Sequence, residues 1–125
     1  MISRNTIQRQ IVLNAVKELT SHPTAEDVYT CIVKQHPNIS KGTVYRNLNL
    51  LADQGELLRV RIPDGADRYD FRTQRHYHIR CSKCGRVFDV DMPYQEDFLD
   101  SVPDTHGFIF TDYEIVFAGL CTDCQ

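Results

Sequence analysis

The chain has 125 residues, 42% apolar and 25% charged, with a net charge of −3; that length suits one average domain or two very small ones. No apolar run approaches the roughly 20 residues of a membrane span, and the opening MISRNTIQRQ lacks the apolar core of a secretory leader, so a cytoplasmic protein is expected. The charge is uneven: residues 1–61 carry eight Lys/Arg against five Asp/Glu, and residues 62–125 carry six against twelve, which gives the first half a mild bias toward phosphate.

Residues 6–19 place Ile7, Ile11, Val12, Ala15, Val16 and Leu19 at helical spacing, predicting an amphipathic helix with those side chains inward. Thr24, with Asp27 three residues on, caps a second helix that buries Val28, Cys31 and Ile32 and ends before Pro37. Ser40 caps a third, with Val44, Leu48 and Leu51 inward and Gly55 as its stop. The period then changes. ELLRVRI (56–62) and RYDF (68–71) read as strands around the turn PDGAD. Three helices and a hairpin make a winged helix.

RTQR (72–75) is a polar joint. YHIRC and RVFDVD then read as strands around the knuckle SKCG. MPYQEDFLDSVPDTHG predicts a short helix between Pro93 and Gly107, with Phe98, Leu99 and Val102 inward, and FIFTDYEIVFAGL one long or two broken strands. The fold class is α+β: a winged helix over 1–72 and an α/β domain over 73–125, hinged at about 70–76. Halves this small often need a metal or a partner chain to be stable.

Four of the five cysteines form two Cys-x-x-Cys pairs, Cys81/Cys84 and Cys121/Cys124, separated by thirty-six residues. A two-residue spacer lets both sulfurs of a pair face one point, and two such knuckles close a tetrahedral zinc site. Cys31 reads as an ordinary buried residue. If the four cysteines saturate one Zn2+, His76 and His78 are left over. Two apart on a strand, they share a face; that starts an open metal site or is simply a polar pair in solvent. Asp70, Asp89 and His22 are candidates to complete such a site, and each taken alone also reads as a surface or capping group. His36 and His106 have no such company.

The segments RNTIQR (4–9), HPTAEDVY (22–29), SKGTVYRNL (40–48), RYDF (68–71), HYHIRCSKCG (76–85) and the closing CTDC, in that order, resemble the ferric-uptake-regulator family of metal-dependent bacterial repressors over nearly the whole chain. The resemblance implies a homodimer, an N-terminal half that reads a palindromic double-stranded operator, and a C-terminal half that dimerises. It implies a regulatory metal at the hinge, held by His22, Asp70, His76, His78 and Asp89. Nitrogen and oxygen donors suit Fe2+ or Mn2+ better than a thiolate-rich zinc sensor does. Aspartates at 70 and 89, where iron repressors usually have glutamate, resemble the peroxide-stress branch, in which Fe(II) and hydrogen peroxide oxidise a ligand histidine; the matching positions are His22 and His76. Arg75 and Tyr77 stand where iron repressors carry further ligands. The chain also starts closer to Arg4 than is usual in the family, which would weaken a phosphate contact. Iron or manganese homeostasis is the alternative within the family.

Residues 41–53 would then be the recognition helix, offering Thr43, Tyr45, Arg46 and Asn47 to the major groove. Lys41 and the hairpin's Arg59 and Arg61 would meet the backbone. No general base stands beside the ligands, so no enzyme and no small-molecule substrate is expected; a metal-dependent hydrolase and a zinc-stapled interaction module are the readings outside the family.

Overall fold

The computed structural model describes residues 3–125. The chain divides into two compact units, one ending at Gln74 and the other being Arg75–Gln125.

The first unit holds α1 (Arg4–Glu18), α2 (Ala25–Val33), α3 (Lys41–Asp53) and the hairpin β1 (Leu58–Val60) and β2 (Arg68–Asp70). All three helices start on a hydroxyl cap. The Oγ of Ser3 accepts from the Thr6 N–H at 3.1 Å, so α1 begins two residues before the apolar periodicity does. At α2 the box is reciprocal: Thr24 Oγ1 accepts from the Asp27 N–H and Asp27 accepts from the Thr24 N–H. Such a cap is worth about 1 kcal/mol. Ser40 repeats the device with Thr43. Gly55, at φ 78°, takes the left-handed turn after α3.

The buried faces of the helices supply Val12, Val16, Val28, Val44, Leu48 and Leu51, none more than 2% exposed. Leu57 and Tyr69 close the core from the hairpin. Three predicted contacts differ. Ile7 is half exposed, because the α1 core face begins only at Val12. Cys31 is half-buried rather than buried. Phe71 lies beyond the end of β2, and Lys17 Nζ sits 4.8 Å from its ring centre. The strands are also only three residues each, antiparallel with Leu58 opposite Asp70 and Val60 opposite Arg68. The unit is a winged helix.

The second unit is a three-stranded sheet, ordered β4 (Val87–Val90), β3 (Tyr77–Cys81), β5 (Val116–Gly119). β3 runs antiparallel to β4 and parallel to β5. The predicted helix between Pro93 and Gly107 shrinks to one 3-10 turn, Phe98–Ser101, with Phe98 exposed. The reason is a competing set of bonds. The Gln95 N–H donates to the Tyr77 hydroxyl at 2.8 Å, and the Tyr113 hydroxyl donates to the Gln95 carbonyl at 2.6 Å. The Gln95 carbonyl also accepts from the Phe98 N–H at 3.3 Å, a three-residue step that leads into the short turn rather than into an α-helix. The predicted strand over 108–120 forms only at Val116–Gly119. His78 pairs with Val116, so the parallel register leaves residues 108–115 almost nothing of β3 to pair with. Phe108 and Ile109 are 72% and 91% exposed as a result. Among the described residues, no helix is long and apolar enough to cross a membrane.

Candidate metal centres and nucleic-acid face

The four paired cysteines meet at one point in the second unit, with their sulfurs all within 4.8 Å of one another. Cys81 ends β3, and the chain turns back at Gly85, whose φ of 80° permits the tight knuckle. The Gly85 N–H donates to the Cys81 carbonyl at 2.9 Å. The second knuckle begins two residues after β5, with the Cys124 N–H donating to the Cys121 carbonyl. Pairing of β3 with β5 therefore brings the two knuckles together across the sequence gap. The Sγ atoms of Cys84 and Cys121 are 3.8 Å apart. A tetrahedron of sulfurs around zinc, with bonds of about 2.3 Å, has an edge of about 3.8 Å. The donors are of the type zinc takes, and the Cys84–Cys121 edge has the length its tetrahedron requires.

Its electrostatics are set locally. The N–H groups of Cys121 and Cys84 point at Cys81 Sγ and draw its thiol down to about 5. Cys84 is lowered chiefly by the Arg86 guanidinium. Cys124 is pushed up to about 12, chiefly through its hydrogen bond to Cys121. A metal displaces that last proton when it binds.

Three oxygen- and nitrogen-bearing side chains gather elsewhere on the same sheet. His78 faces Asp89 across the β3–β4 ladder. His76, one residue before β3, lies on the same face, with the two imidazole centres 4.4 Å apart. Both Nε2 atoms approach Asp89 Oδ1, at 2.9 Å from His76 and 3.4 Å from His78. Both imidazoles are buried. Two nitrogens converging on one carboxylate oxygen form part of a hard-to-borderline donor set.

In the first unit His22 and Asp70 make a second such pair, Nε2 to Oδ2 at 3.3 Å, with both side chains largely buried. The loop before α2 is laced along β2. The Tyr69 N–H donates to the Pro23 carbonyl, Thr24 bridges to Arg68, and the Arg68 guanidinium donates to the His22 carbonyl. His22 sits at φ 59°, a left-handed conformation that costs a non-glycine residue about 1 kcal/mol or more. The lacing holds that conformation and sets the imidazole beside Asp70. His106, with Asp104 at 3.3 Å, is exposed and remote in sequence from these groups.

The outward face of α3 differs in part from expectation. Tyr45 and Arg46 are exposed. Asn47 is 8% exposed, and its amide donates to the Thr43 carbonyl at 2.8 Å, so it faces inward. Thr43 is half-buried, bonded to the Ser40 hydroxyl. Arg59 turns onto α3, donating to Asn49 at 3.0 Å and lying 3.6 Å from Asp53, while Arg61 is exposed. Glu26, unremarked in the sequence, grips two of the predicted contacts. It takes a 2.9 Å ion pair from Lys41 and a 3.1 Å hydrogen bond from the Tyr45 hydroxyl. The Lys41 contact is the main cause of a lowered Glu26 pKa. No spacing in the sequence signals this triad, because α2 and α3 meet only in three dimensions.

Residues 2–118 match the Ferric uptake regulator family. The chain belongs to that family. Its members include the peroxide-responsive repressor PerR of Staphylococcus saprophyticus, 34% identical over 98% of this chain and 82% of the relative. Among solved structures, the Campylobacter jejuni peroxide stress regulator superposes with a TM-score of 0.74 at 30% identity, covering 97% of this chain and 91% of that one. A zinc-bound manganese uptake regulator superposes with a TM-score of 0.66 at 28% identity, covering 97% and 90%. The Helicobacter pylori ferric uptake regulator, at 23% identity and a TM-score of 0.75, shares the fold. As a ferric uptake regulator family protein, the chain is a metal-responsive, DNA-binding transcriptional regulator and not an enzyme.

Proposed function

We propose that this regulator represses transcription as a homodimer on a palindromic operator and releases DNA when hydrogen peroxide oxidises a ligand histidine. One observation carries the proposal: His22 with Asp70, and His76 with His78 and Asp89, are two donor clusters of imidazole and carboxylate alone, in which the three imidazoles are buried and Asp89 is open to solvent. Together the five residues are the regulatory metal site of the proposal, taking Fe2+ or Mn2+, while Cys81, Cys84, Cys121 and Cys124 hold a permanent Zn2+. One cluster lies on the DNA-reading half and one on the dimerising half. Sharing an ion therefore selects one spacing of the two recognition helices, the one that matches successive major grooves. Lys41, Tyr45, Arg46 and Arg61 are the proposed DNA contacts on each protomer because they are exposed, Lys41 and Tyr45 after release from Glu26; Asn47 and Thr43 are buried or half-buried, and Arg59 lies against α3.

Iron held by these residues would activate hydrogen peroxide at the ring: overall one peroxide oxygen enters an imidazole C–H bond, the other leaves as water, and peroxide is the oxidant. His22 and His76 are the imidazoles proposed to take up oxygen. An oxidised ring is a poor donor, and its loss unties the two halves. The peroxide-responsive relatives at 34% and 30% identity support this reading. The similarity to a manganese uptake regulator favours metal homeostasis as the second reading.

Mass spectrometry of Fe(II)-loaded protein treated with peroxide separates the two. One added oxygen on a peptide holding His22 or His76 supports peroxide sensing; none removes it and leaves homeostasis. A gel shift on operator DNA with and without Mn(II) tests the repressor reading itself. An operator bound equally well in both conditions would remove metal gating.

A further inference from the structure

Zinc bound by four thiolates leaves surplus negative charge on the sulfurs, and exposed sulfurs of that kind react readily with electrophiles. The structure distributes donors among them unequally. Cys81 is buried and receives two backbone N–H groups. Cys84 is exposed, Cys121 is half-buried, and both face one side chain, Arg86. Its Nε donates to Cys84 Sγ at 3.4 Å, and Nη2 lies 3.2 Å from Cys121 Sγ. The same Nη2 lies 2.7 Å from Asp123 Oδ2. The guanidinium carbon also lies over the Phe88 ring, 5.5 Å from its centre. A planar fork held by a carboxylate and a ring thus spans one sulfur from each knuckle.

We propose that Arg86 is a positioning residue for the cysteine site: it offsets the charge on Cys84 and Cys121 and slows their attack on electrophiles, with Asp123 fixing its orientation. The inference rests on the reading of the four cysteines as a zinc site. It gives the protein a chemical division: reactive ligands where a signal is to be read, shielded thiolates where the fold is to be kept. Lysine at this place could offer the charge but not two fixed donors to two sulfurs.

The test uses full-length protein as purified, with its zinc content measured first. N-ethylmaleimide is then added in the presence of a chromogenic zinc chelator. Each thiolate forms a carbon–sulfur bond to the maleimide, the ring carbon takes its proton from water, and zinc leaves to the chelator. A charge-assisted hydrogen bond corresponds to about a tenfold effect on a rate. The slope of zinc release against maleimide concentration is expected to rise about tenfold in Arg86→Gln. A smaller rise is expected in Arg86→Lys and in Asp123→Asn. Release to chelator alone is expected to stay near the wild-type rate in all three. An unchanged slope in Arg86→Gln overturns the proposal, and so does a chelator-only rate that rises as much as the slope, because that marks a merely loosened site. Should Arg86→Gln fail to fold, Asp123→Asn decides, since it keeps the guanidinium and all four cysteines; an unchanged slope there overturns the proposal. Wild-type protein that carries no zinc would overturn the cysteine reading and this proposal with it, whereas one zinc per chain with unchanged slopes overturns the proposal alone.

Discussion

The two units are held together by different physics. The winged helix is built on an apolar core in which six aliphatic side chains from three helices are at most 2% exposed. The second unit buries only Tyr77, Cys81 and Val87 among its apolar residues, and it leaves Phe88, Met92, Phe98, Phe108, Ile109, Phe110, Phe117 and Leu120 exposed. It is held instead by a tyrosine network, two knuckles and the strand ladder. A fragment of this size with its apolar residues outside needs a staple inside and a cover outside. In the proposed zinc-bound dimer, the four-cysteine cage would supply the first and the partner protomer the second. Stability would then come from packing in one half and from cross-links in the other.

That contrast can be broken by choosing where to cut. Cys81→Ser is expected to have the largest effect, because structural zinc binding is folding free energy of about 10 kcal/mol. Zinc content should fall to near zero and sedimentation should show loss of the dimer; a zinc-loaded dimer would break the comparison. Leu48→Ala should cost about 2–5 kcal/mol in denaturant unfolding while zinc content stays at the wild-type level, since the cavity opens in the other unit. His76→Ala should leave the circular dichroism spectrum and the zinc unchanged. It should weaken Mn(II)-dependent operator binding by about 10–100-fold in a gel shift, the usual loss when a metal site is damaged. Tyr113→Phe removes the hydroxyl between Tyr77 and the Gln95 carbonyl. It should cost about 1 kcal/mol, seen as faster amide exchange around Gln95. Glu26→Gln should have the smallest effect on stability, since the Lys41 pair is exposed and screened by solvent. It removes the ion pair to Lys41 while leaving an amide oxygen for the Tyr45 hydroxyl, so operator affinity is expected to rise slightly rather than fall.

Much of this was legible in the sequence because the signals are local. Thr24 and Asp27 are three apart, so the capping box follows from spacing alone, and the same holds for each Cys-x-x-Cys knuckle. Val44, Leu48 and Leu51 lie on one helical stripe and are buried as their period requires. His76 and His78 share a face because a strand alternates. The misses have a common cause. Asn47 looks like an outward polar residue on α3, yet its amide satisfies the Thr43 carbonyl one turn back. Residues 93–107 carry helical spacing, but Tyr77 and Tyr113, distant in sequence, claim the backbone of Gln95. Arg86 and Asp123 sit in different knuckles, and Glu26 and Tyr45 on different helices.

By itself, the sequence determined the elements, the caps, the donor types and the pairing of cysteines within each knuckle, all properties of residues within a few positions of one another. Only the tertiary structure decided that Asp89 stands across from His78, that Cys84 and Cys121 lie one tetrahedral edge apart, and that Arg86 bridges them. Those relations depend on strand register. A shift of one residue would turn every side chain to the opposite face, and nothing local in the sequence prints which register wins.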